Sequence, residues 1–186
     1  MTDSTSASLG VEGFDALPEH EAAVVLETCC GSTAWVQGMT VRRPFGTLSV
    51  LLDAADELWW SLLPDDWREA FDHHPRIGEQ ATIVAQSVQA RGWSADEQRG
   101  ATSASDDVRR ALAEGNREYE HRFGHIYLVS AAGKSAEEML ALQRARMMND
   151  AATELRVAAG EQAKITRLRL EKMFGVPSKT INNDSA

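Results

Sequence analysis

The sequence predicts an all-α protein, a single-domain helical bundle of about eight helices with short irregular connections. Three observations predict it. Apolar residues recur at helical spacing over most of the chain. Glycine and proline punctuate these segments at Gly31, Pro44, Pro64 and Gly92. The only β-like run, "HIYLVSAAG" from His125 to Gly133, is too short and isolated to build a sheet by itself. A chain of 186 residues fits one domain whose core needs no disulfide or metal staple.

The elements follow in order. Residues 1–10 are Ser/Thr-rich and are expected to form a disordered tail, residues 11–175 the helical domain, and residues 176–186 a C-terminal tail. "EHEAAVVLETCC" reads as a helix with Ala22, Val25, Leu26 and Cys29 on one stripe. "GSTAW" turns the chain and offers Ser32 as the cap of a helix through Trp35 and Met39. "RRPFG" breaks structure and reads as an ordinary turn with solvated charges at Arg42 and Arg43. "LSVLLDAADELWWSLL" is strongly helical, with Leu48, Leu51, Leu52, Ala55 and Leu58 inward. Pro64 opens "PDDWREAF" at the first-turn position a proline tolerates, with acids following it.

A helix over "EQATIVAQSVQARG" ends at Gly92, and "SADEQRGATSASDDVRRALAEGNREYEHRFG" is mostly helix with an interruption at Gly100. "KSAEEMLALQRARMMND" and "AATELRVAAGEQAKITRLRLEKMFG" are the last two helices. The second carries Leu155, Ala158, Gln162, Ile165 and Leu168 at helical spacing.

A formal charge of −9 argues against nucleic acid or an anionic membrane as the main partner, because both call for a dense Lys/Arg surface. The two cysteines, Cys29 and Cys30, are adjacent, so neither an ordinary disulfide nor a Cys/His zinc pattern is expected. "MTDSTSASLG" has no basic start or apolar run, and no segment approaches membrane-spanning length. A soluble cytoplasmic protein is expected.

Four motifs carry polar chemistry, each with a plainer reading beside it. In "FDHHPRIGE" the residue before Pro75 is pushed out of the α region, so the helix ends by His74 and its imidazole sits on a stiff corner. Such a corner suits a general acid or base. Equally, a histidine at a helix C-terminus simply meets the negative end of the dipole, which local pattern alone favours. In "SADEQ", Ser94 and Glu97 have capping-box spacing, and Ser135 with Glu138 repeat it in "SAEE". A helix N-terminus also suits anions, but capping alone explains both pairs. "RRPFG" and "RARMMND", with Arg144, Arg146 and Asn149, are readable as solvated charges.

Taken in order, "RPF", "HHPRIGE", "SADEQRGA", "YEHRFGHIYLVSAAGKSAEEMLALQRARMMND" and "EQAKITRLRL" resemble the 2-oxo-4-hydroxy-4-carboxy-5-ureidoimidazoline (OHCU) decarboxylase family, from about Phe14 to Phe174. "FGHIY" is closer to the bacterial pattern than to the animal one. The resemblance implies an all-α, commonly dimeric enzyme with no metal or organic cofactor, converting OHCU to (S)-allantoin in urate breakdown. It implies catalytic roles for His74 and Glu97. It also implies substrate contacts from Pro75, Ser94, Gln98, the backbone of Tyr127, Leu128, Val129, Ser130 and Ala131, and the side chain of Arg146. Two rival readings are a non-catalytic helical interaction module that keeps this fold, and a metal-dependent hydrolase using His73 and His74.

The implied chemistry is self-consistent. OHCU carries a hydroxyl and a carboxylate on one ring carbon beside a C=N bond, so the ring itself accepts the electron pair released with CO2. The protein must then orient the carboxylate, manage the hydroxyl proton and reprotonate the neighbouring carbon on one face.

Overall fold

The structure, a computed structural model, describes residues 10–77 and 105–175. Among these residues there are eight helices and no strand. They are α1 (Val11–Asp15), α2 (Glu19–Cys29), α3 (Thr33–Val41), α4 (Leu48–Ser61), α5 (Pro64–Asp72), α6 (Asp106–Phe123), α7 (Ala136–Arg146) and α8 (Ala151–Phe174). The long α8 is the central post, packed against α2, α4, α5 and α6, while α3 packs on α2, α4 and α5, and α7 on α6.

The predicted stripes face inward. Ala22, Leu26 and Cys29 of α2, and Leu51, Leu52, Ala55 and Leu58 of α4, are buried, with Val25 and Leu48 packed at the edge of the same core. Burying a side chain of Leu26's size stabilises the fold by roughly 1.5–3 kcal/mol. Three tryptophans enter this core with their polar ends satisfied. Trp35 donates its indole N–H to Ala55 O at 3.2 Å, Trp59 to Ala159 O at 3.0 Å and Trp67 to Trp59 O at 3.0 Å.

Helix ends also follow the sequence. Ser32 Oγ accepts from Trp35 N at 3.3 Å, and Pro64 takes the first position of α5. Ser135 and Glu138 form the reciprocal box, with Ser135 N donating to Glu138 Oε2 at 2.7 Å and Glu138 N to Ser135 Oγ at 3.2 Å. At Gly124 the chain leaves α6 in the left-handed region, φ 74°.

Three features differ from expectation. The short α1 is too brief to show a helical stripe, and it exists because tertiary contacts hold it. Arg43 is not a solvated charge: its guanidinium donates to Phe14 O, Leu17 O and Thr40 O, tying the "RRPFG" turn to the end of α1. Asp15 completes that tie by accepting from Phe45 N and Gly46 N at 2.9 and 2.8 Å. On α8, Leu155, Ala158, Gln162 and Ile165 are buried as expected, but Leu168 is only half-buried, and Thr166 and Arg169 join the inward face.

Candidate active site

The chain stops α5 where "HHP" predicts. His73 is its C-cap, and His74 N donates to Phe71 O at 2.9 Å. The corner is then pinned from three sides. His73 Nδ1 lies 2.9 Å from Glu69 O, and its ring packs so closely on Gly31 that any Cβ there would lie 2.4 Å from the ring. Glu69 in turn holds the start of α3, accepting from Thr33 N at 3.0 Å and from Thr33 Oγ1 at 2.6 Å. Past the proline, Arg76 makes a two-pronged ion pair with Glu120 of α6, at 2.6 and 2.8 Å. Ile77 O accepts from Asn116 Nδ2 at 2.9 Å, and Asn116 Oδ1 accepts from Gln143 Nε2 of α7 at 2.7 Å.

The two histidines thus part company. His73 serves the corner, while His74 turns inward and is only 9% exposed. Burial, seconded by the positive charge of Arg169, pushes the His74 imidazole down to about 3, against a smaller opposing pull from Gln162. His74 is therefore neutral throughout the physiological range, with one ring nitrogen an N–H donor and the other a lone-pair acceptor. Cys30, at the end of α2, is fully buried and feels Thr166 and Arg169. Burial pushes its thiol up to about 11, although the Ser32 backbone, Thr166 and Arg169 pull the other way. It remains a thiol and no nucleophile.

The run from His125 to Ala131 is irregular and pairs with no strand among the described residues, and every residue in it is buried. Its backbone must find partners elsewhere, and side chains supply them. Leu128 O accepts from Arg146 Nη1 at 2.8 Å, Ser130 N donates to Glu161 Oε2 at 2.8 Å, and Ser130 O accepts from Lys134 Nζ at 2.6 Å. Tyr127 spends its hydroxyl on Met139 O at 3.0 Å, and burial holds its pKa up at about 12. This hydroxyl thus anchors the segment to α7.

Arg146 lies beneath that segment. Besides Leu128 O it meets Glu154, with Nε–Oε1 at 2.7 Å, and the Tyr119 hydroxyl at 3.1 Å, while Asn149 Nδ2 holds the second Glu154 oxygen at 2.7 Å. Tyr119 also donates to Glu154. Glu154 is fully buried, so this is a closed charged network.

Pro75 sits at the corner beside His74, but Ser94, Glu97 and Gln98 lie outside the described residues. Among the described residues no group of three His, Cys, Asp or Glu side chains is placed to hold a metal ion, and no helix is long and apolar enough to cross a membrane. Sequence reasoning missed Gln162, Thr166 and Arg169. The signal was present: Gln162 was counted on an apolar stripe, and Arg169 follows it by two helical turns on that face.

Residues 15–171 match the sequence profile of the OHCU decarboxylase family. The uric acid degradation bifunctional protein TTL of Arabidopsis thaliana is 33% identical over 157 residues, covering 84% of this chain and 48% of that protein. The 2-oxo-4-hydroxy-4-carboxy-5-ureidoimidazoline decarboxylase of Mus musculus is 30% identical over 109 residues, covering 56% of this chain and 58% of the mouse protein. The matches thus span about half the length of each of these relatives. Among solved structures, an OHCU decarboxylase crystallised in the presence of (S)-allantoin superimposes with a TM-score of 0.70 at 31% identity, over 81% of this chain and 96% of that one. An (S)-allantoin synthase at 17% identity, TM-score 0.67, covering 89% of this chain and 53% of that one, shares the fold. With its helical order, its His-His-Pro corner and a match over most of its length, the chain belongs to the OHCU decarboxylase family.

Proposed function

We propose that this protein decarboxylates OHCU to (S)-allantoin in urate degradation, without a cofactor. One observation carries the reading: in a chain of this family, His74 is a buried, neutral imidazole fixed at a pinned corner and facing the polar stripe of α8. A neutral ring is suited to accept the hydroxyl proton of OHCU as CO2 leaves and to return a proton to the neighbouring carbon. Glu97 is assigned as its partner in that shuttle. Pro75, Ser94, Gln98 and the 127–131 backbone are assigned to hold the substrate.

Arg169 places positive charge beside His74. A cation gripping the departing carboxylate would stabilise the starting state, so its charge is of most use at the ring atoms that receive the electron pair. Arg146 acts indirectly in this reading, by holding the 127–131 segment against α7 and α8. The reading also carries a homodimer and a cytoplasmic location, the first of which light scattering measures directly.

The test uses OHCU freshly generated from urate, which otherwise decays to racemic allantoin. Circular dichroism should show rapid formation of one optically active allantoin with the protein. His74→Ala should lose roughly 100-fold or more of that rate while keeping its helical spectrum. Glu97→Gln, which a capping box accepts, should be folded and equally impaired. Unchanged racemic decay with folded wild-type protein sinks the activity; full rate in His74→Ala sinks the assignment.

A further inference from the structure

Gln162 is a fully buried carboxamide in the middle of α8, and helix formation gives it no reason to be there. Its Nε2 donates to Thr166 Oγ1, one turn further on, at 3.1 Å. That bond orients the amide and leaves Oε1 as its other polar end. Apart from the His74 ring, no donor among the described residues is placed to serve that oxygen, and an unmet buried acceptor is costly. The side chain lies against His74, where it is felt as a pull toward the protonated imidazole. Thr166 in turn bears on the Cys30 thiol. Cys30, Thr166, Gln162 and His74 thus form one buried polar row from the end of α2 to the corner after α5.

We propose that Gln162 is a positioning residue for His74: its Oε1 accepts one imidazole N–H and so turns the opposite, unprotonated nitrogen toward the substrate. A neutral imidazole exists as two tautomers, and the partner of one nitrogen decides which of them is present. Thr166 keeps the amide from flipping, because Nε2 is already spent on its hydroxyl. Arg169, on the same helix face, opposes a second proton on the ring, so the nitrogen left for substrate keeps its lone pair. The inference rests on the catalytic role proposed for His74, but its central observable does not require turnover.

The experiment is nitrogen-15 NMR of the His74 ring in the wild type, Gln162→Met and Gln162→Glu, beside steady-state kinetics on OHCU. The wild type should show one tautomer. Gln162→Met should show both, with kcat lowered roughly tenfold and KM nearly unchanged, as expected when only orientation is lost. In Gln162→Glu the carboxylate should keep one tautomer and move the acidic limb of kcat upward by about one pH unit or more. Two tautomers in the wild type overturn the proposal whatever the variants do, and so does a single tautomer with unchanged kcat in a folded Gln162→Met. If Gln162→Met does not fold, the wild type and Gln162→Glu decide. A Gln162-dependent tautomer in a protein inactive on OHCU would support the positioning role and overturn the decarboxylase reading.

Discussion

The two buried clusters of this molecule are held together by different means. The larger one is built from α1 to α5 and α8, with Ile126 and Leu128 added from the 125–131 run, and its tryptophans each satisfy one indole N–H on a backbone carbonyl. The smaller one, under α6, α7 and the other face of the 125–131 run, includes Tyr119, Tyr127, Val129 and Ala131 and lies beside the Arg146–Glu154 pair. The first core buries helices, whose backbones are self-satisfied. The second buries a stretch of backbone with no ladder, and must bring side-chain donors and acceptors to it. His74 stands at the seam, with Phe71 in the first cluster and Ile77 in the second.

The histidines sharpen the contrast. His74 and His125 are similarly buried, and burial is the largest cause depressing both imidazoles. His125 sits among Phe71, Tyr119 and Phe123 and donates Nδ1 to Ile126 O at 3.1 Å. His74 faces Gln162 and Arg169. A lowered pKa therefore marks burial in both, and only the neighbours distinguish a candidate catalyst from a packed ring.

The largest expected effect breaks the charged half. Glu154→Ala leaves Arg146 buried without its carboxylate and should cost about 3–5 kcal/mol in denaturant unfolding. Trp59→Phe in the apolar half, which loses one indole hydrogen bond, should cost about 1 kcal/mol. Equal losses would erase the distinction between the two clusters.

Next comes the seam. Gly31→Ala drives a Cβ into the near end of the His73 side chain, 2.4 Å from Cγ and 2.7 Å from Cβ, so the corner must shift. It should cost about 1–3 kcal/mol and lower kcat further than stability alone explains. Unchanged kcat would show that the corner does not need its pinning.

The smallest effect is in pH. The folded His74 pKa of about 3 lies below the usual 6.5. Well above pH 6.5 neither state carries the proton, so stability no longer changes with pH through this group. From 6.5 down toward 3 the unfolded chain binds a proton that the folded chain refuses, and stability falls. At pH 5.5 the loss from this residue should be about 1 kcal/mol relative to pH 7.5. His74→Asn should remove that part of the slope; an identical slope would show that His74 is not buried neutral.

Much of the apolar half was legible because a helix writes its burial into sequence at a fixed period. Stripes, caps at Ser32 and Ser135, and the stop at His74-Pro75 all follow from rules acting within a few residues. Arg43, Arg146 and Glu154 were not legible in the same way. A buried charged residue looks like a surface one until its partners are known, and Leu128 and Arg146 are 18 residues apart. Gln162 shows the boundary most clearly: its position on an inward stripe was readable, but not that it would lie against a histidine from another helix end.

By itself, then, the sequence determined α2 to α8, the stop at His74-Pro75, and the motif order that marks the family, because these rest on local periodicity and backbone sterics. The helix expected over 79–92 lies outside the described residues. Only the tertiary structure decided that His74 is buried and neutral, that Gln162 and Arg169 share its surroundings, and that Arg146 is enclosed by Glu154, Tyr119 and Leu128. Desolvation, charge coupling and hydrogen-bond satisfaction depend on which distant residues arrive beside one another, and no local spacing encodes that arrival.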